Sequence, residues 1–224
     1  MERLYPVFLK LAGVPCLIVG GGKVATRKAK RLVESGAQVR VVSPEFTPEL
    51  QELARQGKLE LWERPASPED VSGHALVFCT ASDSEVNRRV AQAARQAGAQ
   101  VNVADAPEES TFYVPAVVER DRLQIAVSTS GASPALAKQI RLELEERFGG
   151  EYALILEVEA YLRKRIIESF PQKERPHLFR RLAALLPKAC RETKSPAELR
   201  RVLAAELGLE ISSNFEQLIA PFFR

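Results

Sequence analysis

The chain is poor in the residues that build disulfide frameworks and metal sites. Its 224 residues include three cysteines and two histidines. Cys16, Cys79 and Cys190 are odd in number and far apart, and His74 and His177 lie near no other soft ligand. This pattern predicts neither a disulfide framework nor a structural zinc site, and we expect no resident metal. Any metal ion that the protein handles is then a substrate.

The chain also lacks strong charge of one sign, long apolar runs and an export signal. Its formal net charge of +3 is too mild to indicate nucleic acid but is compatible with an anionic small molecule. It contains no run of eighteen apolar residues that could span a bilayer. Residues 1–6 lack the basic start, apolar segment and small cleavage site of a signal peptide. We therefore expect a cytoplasmic protein with no membrane or nucleic-acid partner.

What the chain does have is a glycine triplet between a predicted strand and a predicted helix. Residues 15–19 predict a buried strand, and residues 27–34 predict a helix. In a dinucleotide site, Gly20 would make the tight turn, Gly22 would let the backbone approach a pyrophosphate, and Ala25 would take the third small position. The helix N-terminus would supply N–H groups and a partial positive charge. The segment therefore predicts a nucleotide cofactor.

The acidic residue that usually holds the adenosine ribose is missing. A predicted strand at 38–42 is followed by Ser43, where the dinucleotide fingerprint asks for a carboxylate. The ribose would then meet the Ser43 hydroxyl and nearby backbone, with Glu45 as a substitute acceptor. Arg27 or Arg40 would meet a 2′-phosphate, or both are solvated surface arginines. We favour NAD over NADP.

Strands and helices alternate over about residues 1–110. This alternation predicts a Rossmann-type α/β domain, with an open parallel sheet and helices on both faces. Ligands of such sheets collect outside the carboxyl ends of the strands. After residue 43, the predicted elements are a helix at 48–56, strands at 58–63 and 75–79, a helix at 83–97 and a strand at 100–103.

The pattern changes after residue 110. Strand-like residues at 111–115 and 123–128 flank a polar turn and predict a hairpin, and Ser133 with Pro134 predicts a helix that ends near Phe148. Apolar stripes then predict an all-helical tail. The predicted helices of the tail lie at 151–168, 176–186 and 196–207. We therefore expect three parts, at 1–110, 111–149 and 150–224.

Polar residues that follow predicted strands are candidates for the site. Asp105 comes just after the strand at 100–103 and is our candidate acid or base for a hydride transfer. Its alternative role is that of a turn or helix-cap aspartate. Thr80 and Ala81 follow the strand at 75–79, and they either line a cofactor crevice or only precede a helix.

A cluster of hydroxyl groups precedes the helix that begins near residue 134. Hydroxyls beside a helix N-terminus suit a carboxylate or a phosphate, although helix capping alone explains Ser133. We take the cluster as a candidate substrate-binding segment. It comprises Ser128, Thr129, Ser130, Gly131 and Ser133.

Several short motifs occur in one order along the chain. They lie at 5–9, 19–28, 79–83, 86–87, 102–105, 111–112, 115–116 and 128–134. Together they resemble precorrin-2 dehydrogenase, including the dehydrogenase/ferrochelatase modules of siroheme synthase. The resemblance covers about residues 3–150, and the helical tail carries no motif that matches.

The resemblance implies that the protein oxidises precorrin-2, a tetrapyrrole, to sirohydrochlorin with NAD⁺. It leaves open whether the protein also inserts Fe²⁺ to give siroheme. It implies catalysis by Asp105, contacts of Lys23 and Val24 with the cofactor pyrophosphate, and contacts of Pro44 and Glu45 with the adenosine ribose. The contacts of Lys23, Val24 and Pro44 come from the resemblance alone, whereas Asp105 and Glu45 are also candidates from their positions after predicted strands.

The resemblance also implies a homodimer in which residues 111–149 act as a dimerisation segment. It adds Asn102 to the candidates for binding substrate. Fused members of the family continue into a methyltransferase, for which 224 residues leave no room. We therefore expect this chain to act after that methylation.

Two other functions stay open at this point. An NAD(H)-sensing regulatory module would use the same sheet and the helical tail but would not need Asp105. A reductase of small carbonyl compounds would need a Tyr-Lys or His proton donor. Tyr113 lies in the predicted hairpin and neither histidine follows a strand end in the right region, so the sequence shows no convincing proton donor for such a reductase.

Overall fold

The structure is a computed structural model that describes residues 3–223. The chain divides into two compact units. The first is formed by Met1–Val114 with Ser130–Ala132, and the second by Pro115–Thr129 with Ser133–Arg224. The structure thus groups the hairpin and the helix after it with the helical tail, and the three-part division stays a prediction. Met1 and Glu2, on which the signal-peptide argument partly rests, lie outside the described residues.

The first unit contains the predicted parallel sheet. Its strands follow the order β3-β2-β1-β4-β5, and each pairs in parallel with its neighbours. In chain order the elements are β1 (Pro15–Val19), α1 (Lys23–Glu34), β2 (Gln38–Ser43), α2 (Pro48–Arg55), β3 (Leu59–Glu63), β4 (Leu76–Cys79), α3 (Ser84–Gln96) and β5 (Gln100–Val103). The Rossmann-type fold is confirmed.

The sheet is buried on both faces because alternate side chains of each strand point to opposite sides. Ile18 of β1 packs in one apolar cluster with Ala25 and Ala29 of α1. Its neighbour Leu17 packs in the other cluster with Val90 of α3. The central strands β1 and β4 are buried on both faces and apolar throughout, which is why composition alone predicted them.

In the first unit, helix boundaries agree with the prediction to within a few residues. The main difference there is α1, which begins at Lys23 and not at residue 27, because Gly22 serves as its N-cap. At α3 the Asp83 side chain caps the helix, since it accepts a hydrogen bond from the Glu85 backbone N–H at 2.9 Å.

The predicted strand at 111–115 is wrong. Thr111 lies beside β5, where its backbone N–H donates to the Val101 carbonyl and its hydroxyl accepts from the Val101 N–H, each at 2.8 Å. A side-chain oxygen thus takes the place of a backbone partner, and a regular ladder does not form. The hairpin itself is present, with its second strand where predicted and its first strand beginning at Ala116 and not at residue 111. It consists of β6 (Ala116–Arg120) and β7 (Leu123–Val127), which pair antiparallel.

The rest of the second unit is helical. Its helices are α4 (Pro134–Arg147), α5 (Glu151–Ser169), α6 (Arg175–Glu192), α7 (Pro196–Leu207) and α8 (Asn214–Ile219). The predicted end of α6 at residue 186 is wrong, because the helix continues through Pro187 and buries Ala189 and Cys190. Helix α8 was not predicted. Across the described part of the chain, no helix is long and apolar enough to cross a membrane.

Candidate functional site

The turn between β1 and α1 can be built only with glycine at two of its three positions. Gly20 has a φ of 107°, and a Cβ there would lie 2.7 Å from the Thr80 carbonyl oxygen. A Cβ on Gly21 would lie 1.9 Å from the Glu45 carbonyl oxygen. Both glycines therefore let backbone segments approach more closely than any side chain would allow. The sequence analysis missed this role of Gly21.

Gly22 differs from its two neighbours because its open side meets no protein atom. No heavy atom lies within 4 Å of the position where its Cβ would stand. Gly22 is also the N-cap of α1 and supplies no capping side chain. The first turn of α1 therefore presents backbone N–H groups beside open space, which is the arrangement that binds a pyrophosphate.

A cavity of about 700 Å³ lies at the carboxyl ends of β1, β2 and β4. All the residues predicted to bind the cofactor line it, so the structure brings together three separate stretches of sequence. They are Gly20, Gly22, Lys23, Val24, Ser43, Pro44, Glu45, Thr80 and Ala81. Thr47, Pro65 and Ala66 also line the cavity, and no motif in the sequence had indicated them.

The end of β2 is polar but not acidic. Ser43 is 8% exposed at this edge, and Glu45 is exposed beside it. Arg40, one candidate for a 2′-phosphate, is engaged elsewhere: it pairs with Glu60 at 2.8 Å and lies over the Trp62 ring at 4.0 Å. The cavity therefore has a carboxylate at Glu45, while Arg40 already has a partner.

These features fit a dinucleotide. The close packing at Gly20 and Gly21 shapes the turn, the open side of Gly22 leaves room for a pyrophosphate, and Glu45 offers an acceptor for ribose hydroxyls. Because a carboxylate attracts hydroxyl donors and repels a phosphate, Glu45 favours NAD over NADP.

Asp105 lies in a bend after β5 and is exposed. The short 3₁₀ turn that follows, Pro107–Glu109, has Ala106 as its N-cap and no side-chain cap, so Asp105 does not cap it. Asp105 instead lines a second, smaller cavity of about 130 Å³ together with Ser84, Glu85, Arg88, Val103, Ala106 and Glu109. A carboxylate beside a cavity can accept a proton from a bound molecule.

The Asp105 carboxylate is held by a residue to which the sequence analysis gave no role. The side-chain nitrogen of Asn87 donates to Asp105 Oδ1 at 2.9 Å. Asn87 belongs to α3, on the same buried face as Val90, Ala91 and Ala94. A polar residue within such an apolar stripe was the available signal, because buried amides need specific partners.

Asn102, a predicted substrate-binding residue, is engaged within the first unit. Its Oδ1 accepts from the Lys28 ammonium at 2.8 Å, and its Nδ2 donates to the Phe112 carbonyl at 3.1 Å. Burial, and then the charges of Arg27 and Arg31, lower the pKa of Lys28 to about 8. No pattern in the sequence distinguished Lys28 from the other basic residues of α1.

The hydroxyl segment is divided between the two compact units. Ser128, Thr129 and Ser133 belong to the second, and Ser130 and Gly131 to the first. The predicted capping role of Ser133 is confirmed, since its hydroxyl accepts from the Leu136 N–H at 3.2 Å. The Thr129 hydroxyl accepts from the Ser133 N–H at 3.1 Å. Substrate binding by this segment stays a prediction.

The cysteines do not offer a nucleophile. Burial raises the pKa of Cys16 to about 11 and that of Cys190 to about 12. Burial, and then the charge of Asp105, raises the pKa of Cys79 to about 12. The reactive form of cysteine is the thiolate, so these thiols stay inert at neutral pH. Among residues 3–223 there is no group of three His, Cys, Asp or Glu side chains that could hold a metal ion.

Two family models match consecutive parts of the chain. One, described as putative NAD(P)-binding, matches residues 7–116. The other, described as sirohaem biosynthesis protein central, matches residues 120–147. The first therefore covers the parallel sheet, and the second covers the end of β6, all of β7 and all of α4.

Curated relatives and a solved structure agree with these matches. The chain is 38% identical over 179 residues to a siroheme synthase of Methylobacillus flagellatus, and 40% identical over 169 residues to one of Chromobacterium violaceum. These alignments cover 80% and 75% of this chain but only 38% and 36% of the relatives. The chain thus spans little more than a third of their length.

A solved structure described as SirC, precorrin-2 dehydrogenase, has a TM-score of 0.75 at 26% identity. The match covers 92% of this chain and 100% of that one. The fold likeness therefore extends into the helical tail, in which we found no matching motif.

Proposed function

Because this chain belongs to the precorrin-2 dehydrogenase family, we propose that it oxidises precorrin-2 to sirohydrochlorin with NAD⁺ in siroheme biosynthesis. The balanced reaction converts precorrin-2 and NAD⁺ to sirohydrochlorin, NADH and a proton. The observation that carries the proposal is the union of two features: a cavity lined by every predicted cofactor residue, and a carboxylate at the end of the neighbouring strand, β5.

The roles of the residues follow from their placement. The turn at Gly20 and Gly22 and the N-terminus of α1 bind the pyrophosphate, and Glu45 accepts hydrogen bonds from the adenosine ribose. When bound, NAD⁺ supplies the hydride acceptor. Asp105 takes the proton that must leave the tetrapyrrole with the hydride, and it later releases that proton to water.

An anaerobic assay with enzymatically generated precorrin-2 and NAD⁺ tests the reaction. We expect one NADH to form for each sirohydrochlorin. Both products are measured by the absorbance of the nicotinamide and of the tetrapyrrole. Binding of NAD⁺ with unchanged precorrin-2 would contradict the proposal and favour the NAD(H)-sensing alternative. The matches to siroheme synthases and to a dehydrogenase do not favour that alternative.

Asp105→Asn is the variant that tests the base. We expect kcat to fall about 10²- to 10⁴-fold, since a positioned base contributes that much. The Kd for NAD⁺, measured by calorimetry, should stay within about threefold because Asp105 does not line the larger cavity. Glu108→Gln is the matched control, because Glu108 is a neighbouring exposed carboxylate outside both cavities. A full rate in Asp105→Asn would remove Asp105 from the reaction.

Three finer points need their own measurements: the resemblance implies the homodimer and leaves iron insertion open, and the cytoplasmic location is an expectation of the sequence analysis. Addition of Fe²⁺ after NADH formation tests insertion of iron, whose product siroheme has its own absorbance. Sedimentation tests the homodimer, and cell fractionation tests the cytoplasmic location.

A further inference from the structure

Asn87 is among the most buried polar residues of the first unit, with 1% of its surface exposed. Its side-chain nitrogen donates to the Ala81 carbonyl at 3.0 Å and to Asp105 Oδ1 at 2.9 Å. Its Oδ1 accepts from the Ala81 N–H at 3.0 Å. Both N–H groups and the oxygen of this one amide therefore have partners.

Only one orientation of the Asn87 amide satisfies these partners. The partners on one side are oxygens with no proton to give, namely the Ala81 carbonyl and the Asp105 carboxylate. A flipped amide would place Oδ1 against both of them and would leave the Ala81 N–H facing an N–H group. The donors are thus held toward Asp105 by the backbone on the opposite side.

The two partners of Asn87 belong to different parts of the site. Ala81 lines the larger cavity, which we assign to the cofactor. Asp105 lines the smaller cavity. Asn87 itself is carried by α3, whose first turn is capped by Asp83. One rigid, buried amide therefore spans from the wall of the cofactor cavity to the carboxylate.

We propose that Asn87 is a positioning residue that holds the Asp105 carboxylate at a set distance from the cofactor cavity and leaves Oδ2 to take the substrate proton. The inference rests on the proposed function, because it assigns Asn87 an effect through Asp105. An exposed carboxylate such as Asp105 otherwise samples several rotamers. Since the bond from Asn87 engages Oδ1, Oδ2 is the oxygen directed to accept the proton.

Asn87→Ser and Asn87→Asp are the test variants. Serine removes both N–H donors without adding charge, and aspartate removes them while keeping the acceptor for the Ala81 N–H. We expect kcat to fall about 10- to 100-fold in each, the range that follows from loss of precise placement. The Kd for NAD⁺ is measured alongside kcat, because both variants also change the hydrogen bonds of Asn87 to Ala81 in the wall of the cofactor cavity. Gln92→Glu, the same amide-to-acid change at an exposed position of α3, should leave both constants unchanged.

A double-mutant cycle separates positioning from a general structural effect. We expect Asn87→Ser to lower kcat less than about twofold in an Asp105→Ala background, because the group it positions is already absent. An equal loss in both backgrounds would overturn the inference, as would a wild-type kcat in the single variants. An inactive wild-type protein would instead be a failure of the proposed function.

A second measurement keeps Asn87 unsubstituted, so it tests the inference even if the Asn87 variants do not fold. In protein labelled with ¹⁵N, the Asn87 side-chain signal should shift between the wild type and Asp105→Ala, which removes the acceptor. The Asn102 side-chain signal is the internal control, because its partners are Lys28 and Phe112. An Asn87 signal that does not move would show that the amide does not hold Asp105, and it would overturn the inference without any activity measurement.

Discussion

The two compact units bury different kinds of residues. Throughout residues 3–223, every buried polar or charged residue belongs to the first unit. These residues are Thr26, Ser43, Asp70, His74, Asn87 and Asn102. The helices α5 to α8 of the second unit instead enclose a cluster of leucine, isoleucine and other apolar side chains.

This difference shows that a binding site and a stable core place different requirements on the sequence. Each buried polar group must find a partner or cost free energy, so a unit that carries several of them is tightly constrained in sequence and geometry. An apolar helical core needs only the right pattern and volume. We therefore expect substitutions in the first unit to affect ligand binding, and substitutions among α5 to α8 to affect stability.

The largest effect is expected from Gly21→Ala. The added Cβ would lie 1.9 Å from the Glu45 carbonyl oxygen, and the Thr47 N–H that donates to the Gly21 carbonyl at 3.0 Å belongs to the same loop. This loop lines the cofactor cavity, so its displacement should raise the Kd for NAD⁺ at least about 100-fold and lower the melting temperature. Calorimetry and thermal unfolding measure the two effects.

Gly22→Ala is the matched control for that variant. Its Cβ meets no protein atom, and the φ of −84° suits alanine. We expect the melting temperature of the free protein to stay near that of the wild type, while the methyl group on the open side weakens NAD⁺ binding. A Gly21→Ala protein with normal stability and affinity would contradict the prediction, because it would show that the loop of Glu45 and Thr47 moves at little cost in free energy.

Leu162→Ala should produce the next largest effect, on the apolar core of α5 to α8. Leu162 is fully buried in α5, and its truncation should lower the free energy of unfolding by about 2–5 kcal/mol. Ile167→Ala on the same helix should cost less than about 1 kcal/mol because Ile167 is 44% exposed. Chemical denaturation measures both. A change in the Kd for NAD⁺ of folded Leu162→Ala protein would contradict our expectation that substitutions among α5 to α8 affect stability and not ligand binding.

The smallest effect is expected from Lys28 and depends on pH. Because the pKa of Lys28 falls from 10.5 to about 8 in the folded protein, the unfolded chain binds more protons between these values. Stability therefore rises as pH increases through this window. Relative to Lys28→Met, the wild type should gain about 1 kcal/mol of unfolding free energy between pH 7 and pH 9. A difference that is constant with pH would contradict the lowered pKa.

The sequence predicted most of the sheet and part of the site for reasons that are local. Apolar runs identified the strands, and glycine spacing identified the turn at Gly20 and Gly22. Asp105 followed from its place after a strand. The strand at 111–115 was wrong because Thr111 uses its hydroxyl to bond β5, a choice that depends on a distant neighbour.

Two residues show most clearly which contacts the local sequence cannot predict. Asn87 stands three residues before Val90 on an otherwise apolar helix face, and nothing in that spacing names Asp105 as its partner. Lys28 is one of several basic residues on α1, yet it alone donates to Asn102 across the domain. No periodic pattern in the sequence can identify hydrogen-bond partners that are 18 and 74 positions apart.

The sequence by itself determined the order of strands and helices in the parallel sheet, the glycine turn and the carboxylate after β5, because each depends on backbone preferences and on which side chains avoid water. Only the tertiary structure decided which residues share a cavity and which polar groups satisfy one another. The physical reason is that a buried hydrogen bond is set by the position of both partners, and the chain order of β4, α3 and β5 brings Ala81, Asn87 and Asp105 together only after the sheet has formed.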